Sequence, residues 1–199
     1  MKILAFSDLH RDVEATKKIV ELSKDADILV GAGDFATRGQ GTAETIEILK
    51  TANLPTVIVS GNHDNSEELL QLCSSWQNGH HLHGQEVTFA GVSFYGLGGE
   101  IPLRNTAEWN EALSEDEASM MLSTCPKNSI LVTHTPPFGH ADLQRDGGHE
   151  GSTSILTVIE EKQPILNLCG HIHFSWGASG MIGKTSIHNL GPTVNWFEV

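Results

Sequence analysis

Five short apolar runs each lead into side chains that can bind a cation, and this recurrence limits what the chain can fold into. The runs are Ile3 to Phe6, Ile28 to Val30, Val57 to Val59, Ile130 to Val132 and Ile165 to Leu168. They lead into Asp8-Leu9-His10, Gly33-Asp34, Gly61-Asn62-His63-Asp64, Thr133-His134 and Gly170-His171-Ile172-His173. Runs of this length, bounded by Gly, Asn and Asp, read as buried strands. In an open α/β sheet, ligands bind at the carboxyl ends of the strands. Five strands are therefore expected to deliver Asp, His and Asn side chains to one edge of a sheet.

The segments between the runs carry helical patterns. Residues 12–24 place Val13, Ile19, Val20 and Leu22 among charges, and residues 42–52 carry Ile46, Ile48 and Leu49 behind Thr42 as a candidate N-cap. A third helix is expected to start at Asn65 or Ser66, with Glu67 and Glu68 in its first turn. Strand alternating with helix is the parallel-sheet pattern. Residues 81–98 are rich in β-formers around Gly91 and read as a hairpin, and 100–112 as a loop with some helix. Ser114 with Glu117 forms a capping box for a helix through Leu122, and a further helix is expected from Ser152 to Glu161. Short β-runs occupy Ala178 to Val199. With no repeat or linker, residues 1–199 are expected to form a single α/β domain with extra antiparallel strands.

No apolar stretch approaches the roughly 20 residues that span a membrane. The apolar start of the chain runs straight into Asp8, so it reads as a strand and not as a signal peptide. Cys73, Cys125 and Cys169 are odd in number and widely spaced, which points to a reducing cytoplasm and to thiols acting as small apolar residues. The formal net charge is −13, and only Lys17-Lys18 places two cations together. That balance argues against long nucleic acid as a partner, because a duplex-binding surface needs a basic stripe. A small anion can still be drawn to a locally positive metal site. Nothing in the sequence sets an oligomeric state.

The pairs Asp8/His10 and His171/His173 are each spaced by two, which in a strand places both side chains on one face. Mixed carboxylate and imidazole donors suit borderline cations such as Mn²⁺, Fe²⁺, Zn²⁺ or Ni²⁺. His80-His81-Leu82-His83 lacks a carboxylate partner and reads as surface histidines, and His188 as structural.

In order and spacing the five blocks resemble the calcineurin-like metallophosphoesterases, whose pattern is D-x-H, G-D, G-N-H-[DE], a lone His and G-H-x-H. The second half is similar to the small prokaryotic phosphoesterases, through His134-Thr-Pro-Pro137, Gly151-Ser152, Gln163-Pro164 and Cys169-Gly-His-Ile-His173. The resemblance implies a four-layer α-β-β-α sandwich, two mixed β-sheets flanked by helices. It implies two divalent cations, Mn²⁺ foremost, with Asp8, His10 and His173 on the first, Asn62, His134 and His171 on the second, and Asp34 bridging. His63 is then the group that protonates or steadies the leaving oxygen, and Asp64 the group that orients its ring.

Arg11 and Arg38 are candidate phosphate contacts. The segment Gly33-Asp-Phe-Ala-Thr-Arg-Gly39 looks like the G-D-x-x-D-R-G of phosphoprotein phosphatases with Thr37 in place of the second Asp. His140 and His149 are candidates for the substrate mouth. The implied function is hydrolysis of small phosphate esters, diesters preferred and cyclic nucleotides among them, by attack of a metal-bridging hydroxide. A monoesterase or phosphoprotein phosphatase, a nuclease of the same fold, and a catalytically silent scaffold are the alternatives.

Overall fold

A computed structural model describes all 199 residues. Five strands form the first sheet: β1 (Lys2–Phe6), β2 (Ile28–Gly31), β3 (Thr56–Ile58), β4 (Gly79–His81) and the last strand, β11 (Asn195–Glu198). Their order is β11-β1-β2-β3-β4, parallel throughout except for antiparallel β11. The second sheet holds β5 (Gln85–Phe89), β6 (Val92–Leu97), β7 (Ile130–Thr133), β8 (Leu166–Cys169), β9 (Ser179–Ile182) and β10 (Thr185–Asn189). Its order is β5-β6-β7-β8-β10-β9, with antiparallel pairs only at its two edges.

The central strands are apolar on both faces because both faces are covered. In β1, Ile3 and Ala5 point into the core between the sheets, while Leu4 and Phe6 point at helices. Val57 and Ile58 of β3, and Val132 and Leu131 of β7, divide in the same way. Helices α1 (Val13–Leu22), α2 (Thr42–Lys50) and α3 (Ser66–Ser74) cover the first sheet, and α4 (Glu115–Leu122) and α5 (Thr153–Lys162) the second. The result is the four-layer α-β-β-α sandwich, with the carboxyl ends of β1, β2, β3, β7 and β8 converging at one edge.

Helix starts follow local chemistry. Asp12, Asn65 and Ser152 accept from backbone N–H groups one turn on, and Ser114 with Glu117 completes the capping box. Glu115 ties two helices together, since its half-buried carboxylate accepts from Thr153 N, Ser154 N and the hydroxyls of Ser152 and Ser154. Burial raises its pKa, but these donors outweigh that and hold it below the ordinary value of 4.5. A depressed carboxylate stabilises the fold above its unfolded pKa, and that stability is lost as the pH falls through the folded one. Glu115→Ala is expected to lower unfolding stability at neutral pH by about 1–2 kcal/mol. In urea titrations, the gap from wild type should close below pH 4.5.

Several expectations need correction. Residues 79–81 form β4 in the first sheet, so the hairpin is only β5–β6 and the chain changes sheets at Leu82. Residues 100–112 form no helix, only a loop closed by a bridge between Glu100 and Ala112. Gly41, at φ 84°, caps α2, while the Thr42 hydroxyl donates to Glu68. Ile165 is exposed and precedes β8. His80 and His81 lie within β4, and all three histidines are part-buried rather than fully on the surface, with His81 Nε2 and His83 Nδ1 buried without a partner.

Candidate metal centre

The candidate ligand side chains do not sit in the strands but in the tight turns just beyond them. Asp8, His10, Asp34 and His171 have φ of 55°, 45°, 58° and 68°. That is left-handed backbone, costly for residues with a Cβ and characteristic of functional sites. The i, i+2 strand geometry expected for Asp8/His10 and His171/His173 is thus replaced by turns that aim each side chain separately. Two motif glycines are required by close approach: a Cβ on Gly61 would lie 2.0 Å from Asp34 Oδ1, and one on Gly170 2.5 Å from Asp8 Oδ2.

Donor atoms of Asp8, His10, Asp34 and His173 all lie within 4.8 Å of one another. His10 Nδ1–H donates to Ala36 O, which leaves Nε2 as a lone pair 3.2 Å from His173 Nε2 and 3.4 Å from Asp34 Oδ2. Beside this group, His134 Nδ1–H donates to Ala32 O at 2.8 Å, which aims Nε2 at Asn62 Oδ1, 3.1 Å away, and at Asp34 Oδ1, 3.5 Å away. His171 Nδ1 stands 3.0 Å from the same Asn62 Oδ1. Asp34 therefore turns one oxygen to each group.

Without metal, a proton on His134 Nε2 satisfies the Asp34 and Asn62 oxygens, and the same carboxylate, amide and imidazole donors converging on two small volumes fit two divalent ions in place of that proton. The field agrees. Burial lowers the His134 pKa, yet Asp34 and Asp8 overcome it and lift the ring to about 9. Burial and then the charge on His134 push His171 down to about 4, which keeps its ring neutral and able to ligate. Asp34 is buried, yet its histidine neighbours hold it well below the usual carboxylate range.

A supporting shell from outside the five motifs holds the ligands. The Asp8 carboxylate accepts from Ser7 Oγ, from His171 N at 3.0 Å and from Trp176 Nε1 at 3.2 Å. The Trp176 ring also packs on His173, 4.2 Å between centroids. Asn62 Nδ2 donates to Asn110 Oδ1, and Asn110 Nδ2 donates to Glu100, so the Asn62 amide must present its oxygen to the histidines. Glu100 Oε1 faces His171 Nε2 at 3.8 Å. Such partners fix ring tautomers and ligand basicity. Glu100→Gln is expected to weaken cation binding by about 10–100-fold, with catalysis at saturating metal less affected. Calorimetric titration of Mn²⁺ reads this directly.

Asp64 has a different task from the expected one. Its buried carboxylate accepts from Asp34 N, Ala36 N and Gly61 N at 2.7–2.9 Å, pinning two ligand turns together. Burial, and then the Asp34 charge, push its pKa up to about 7 against these three donors. The His63 ring is oriented by Arg38 N–H, which donates to Nδ1 at 3.1 Å, so Nε2 carries the proton. Burial lowers the His63 pKa, which keeps that ring neutral. Trp109 stacks on it at 4.6 Å.

A cavity of about 320 Å³ over the cluster is lined by Asp34, Asn62, His63, Gln144, His171 and His173. None of the candidate substrate contacts lines it. Arg11 pairs with Glu44 at 3.2 Å, and the Arg38 guanidinium lies 5.8 Å from the Trp109 ring centroid. His149 pairs with Asp142 at 2.6 Å, and His140 lies beside Gly180, so the 136–151 loop reaches the cavity through Gln144 instead.

A two-sheet sandwich whose strand ends gather Asp, Asn and His around one shared carboxylate defines a metallophosphoesterase architecture. The chain belongs to the calcineurin-like phosphoesterase superfamily, whose domain model matches residues 1–196. It is 26% identical over 197 residues to UPF0046 protein K07C11.7 of Caenorhabditis elegans, covering 89% of this chain and 65% of that protein. This chain thus spans slightly less than two thirds of that relative. The fold is shared with TT1561 of Thermus thermophilus at TM-score 0.76 and 23% identity, covering 98% of this chain and 97% of that one. It is also shared with a dimetal phosphatase from Danio rerio at TM-score 0.67 and 12% identity, covering 96% and 88%. No helix is long and apolar enough to cross a membrane.

Proposed function

We propose that this protein hydrolyses small phosphate esters with two divalent cations, Mn²⁺ foremost, and prefers diesters to monoesters. The observation that carries this reading is Asp34, whose two carboxylate oxygens face His10 and His134 at 3.4 and 3.5 Å. One carboxylate shared by two donor groups is what a two-cation hydrolytic site requires. Asp8, His10 and His173 would hold one cation; Asn62, His134 and His171 would hold the other. Bound there, the pair supplies a nucleophile drawn from water and neutralises charge developing at phosphorus.

The chain's own residues supply the rest. With Nδ1 occupied by Arg38 N–H, His63 offers Nε2–H to the leaving oxygen as a hydrogen-bond donor. Asp64 keeps the Asp34 and Asn62 turns in register. Asn62 is a neutral ligand, so Asp8 and Asp34 leave the loaded site net positive. The cavity lining contains no Lys or Arg, which suits the single negative charge of a diester better than a monoester dianion. The chain's acidity favours a small ester over long nucleic acid, and three buried free cysteines fit a reducing cytoplasm.

The test compares bis(p-nitrophenyl) phosphate with p-nitrophenyl phosphate on metal-stripped protein reloaded with Mn²⁺. Metal-dependent diester cleavage with slow monoester cleavage supports the reading. The reverse preference makes the protein a phosphatase, and silence on both removes the hydrolase assignment.

A further inference from the structure

A second cavity, of about 520 Å³, adjoins the metal cavity and is lined by Leu143, His149, Phe174, Trp176 and Ala178 among others. The two have no lining residue in common but are built from neighbouring residues. Leu143 precedes Gln144 and Phe174 follows His173, and both of those neighbours line the metal cavity. Trp176 joins them physically, with its ring on His173 and its Nε1–H on Asp8.

Half of the residues lining the groove are apolar. Phe174 is 54% exposed, Leu143 41% and Trp176 38%, and Phe138, whose ring lies 5.9 Å from the lining His149, is 42% exposed. Single exposed apolar residues need no explanation, but a cluster of them in a concavity marks a binding site. The volume falls within the roughly 300–1,000 Å³ of small-molecule sites. No Lys or Arg lines it. Its one carboxylate, Asp142, is buried and already accepts from Gly139 N, Gly151 N and His149 Nδ1. The Asp142 carboxylate is therefore satisfied within the protein, and the cavity presents His149 Nε2 and the Ser175 hydroxyl as its free side-chain polar atoms beside the apolar lining.

We propose that this groove receives an apolar aryl or alkyl substituent of the phosphate ester whose phosphoryl group rests on the metal cluster. This builds on the hydrolase reading and narrows its substrate class to esters with one hydrophobic arm.

Binding, separate from turnover, tests it. Calorimetry on Mn²⁺-loaded protein compares phenylphosphonate with methylphosphonate, which share a phosphoryl head and differ in the arm. The phenyl compound is expected to bind about tenfold tighter, as for partial burial of one ring. Leu143→Ser and Phe174→Ser are each expected to shrink that ratio toward one. Equal affinities in the wild type, a ratio untouched by both substitutions, or binding of neither compound would overturn the inference.

Hydrolysis of methyl and phenyl p-nitrophenyl phosphate separates the two ideas. A tenfold binding preference without cleavage of either ester keeps the groove and removes the hydrolase. Cleavage of both at equal efficiency, together with equal phosphonate affinities, keeps the hydrolase and removes the groove.

Discussion

Asp34→Ala is expected to empty both cation positions at once and to abolish turnover, while leaving the protein folded. Each Asp34 oxygen serves one donor group, so no other single side chain is common to both. The same carboxylate accepts from His63 N at 2.8 Å, so its loss also frees the turn that carries the leaving-group histidine. Removing a buried carboxylate beside His134 takes away the main source of that ring's raised pKa, so the apo variant should hold a neutral His134 at pH 8 where wild type holds a cation. Metal content after gel filtration, turnover and thermal unfolding read the outcome together. A variant that retained one equivalent of Mn²⁺ would show that the two groups bind independently.

His63→Ala should separate what Asp34→Ala merges. The ring is 4.8 Å from the His10 ring but makes no donor contact within either cluster, so both cations should remain. Loss of one charge-stabilising donor commonly costs about 10²–10³-fold in kcat. The expected result is full Mn²⁺ occupancy with kcat lowered by that span and KM little changed. His63→Gln keeps an N–H and should recover part of the rate. Unchanged kcat in His63→Ala would remove His63 from the reaction, and lost metal would make it a ligand.

How much of this was legible in the sequence differs between the site and its surroundings. The strand ends were readable because β1, β2, β3, β7 and β8 are covered on both faces, which produces unbroken apolar runs. The turns after them concentrate Asp, Asn and His, so the seven candidate ligand positions stand out. What periodicity cannot show is how a turn aims a side chain. Asp8 and His10 converge through left-handed backbone, and the strand rule that brought them together was the wrong reason. Asp64 was placed on His63 by adjacency, whereas its carboxylate faces three backbone N–H groups.

Glu100, Asn110, Gln144 and Trp176 were missed altogether. They sit in loops between Gly99 and Leu113, between Pro136 and Gly151, and after β8, where no hydrophobic repeat fixes which residue faces inward. For Glu100 and Asn110 the one usable signal is the density of polar residues around Trp109, which does not say which of them faces inward. The edge strand β4 was hidden because its three residues, Gly79-His80-His81, carry no apolar alternation. Arg11 follows a ligand motif and Arg38 stands in a segment that looks like G-D-x-x-D-R-G, yet each has a partner of its own, Glu44 for Arg11 and Trp109 for Arg38.

The most direct measurement is electron paramagnetic resonance of metal-stripped protein titrated with Mn²⁺, together with a count of bound ions. Two Mn²⁺ per chain with an exchange-coupled spectrum, appearing in step with diester hydrolysis, is the result expected when Asp34 bridges the pair. One ion per chain, or two that give only isolated six-line signals, would contradict the shared-carboxylate centre and the chemistry built on it.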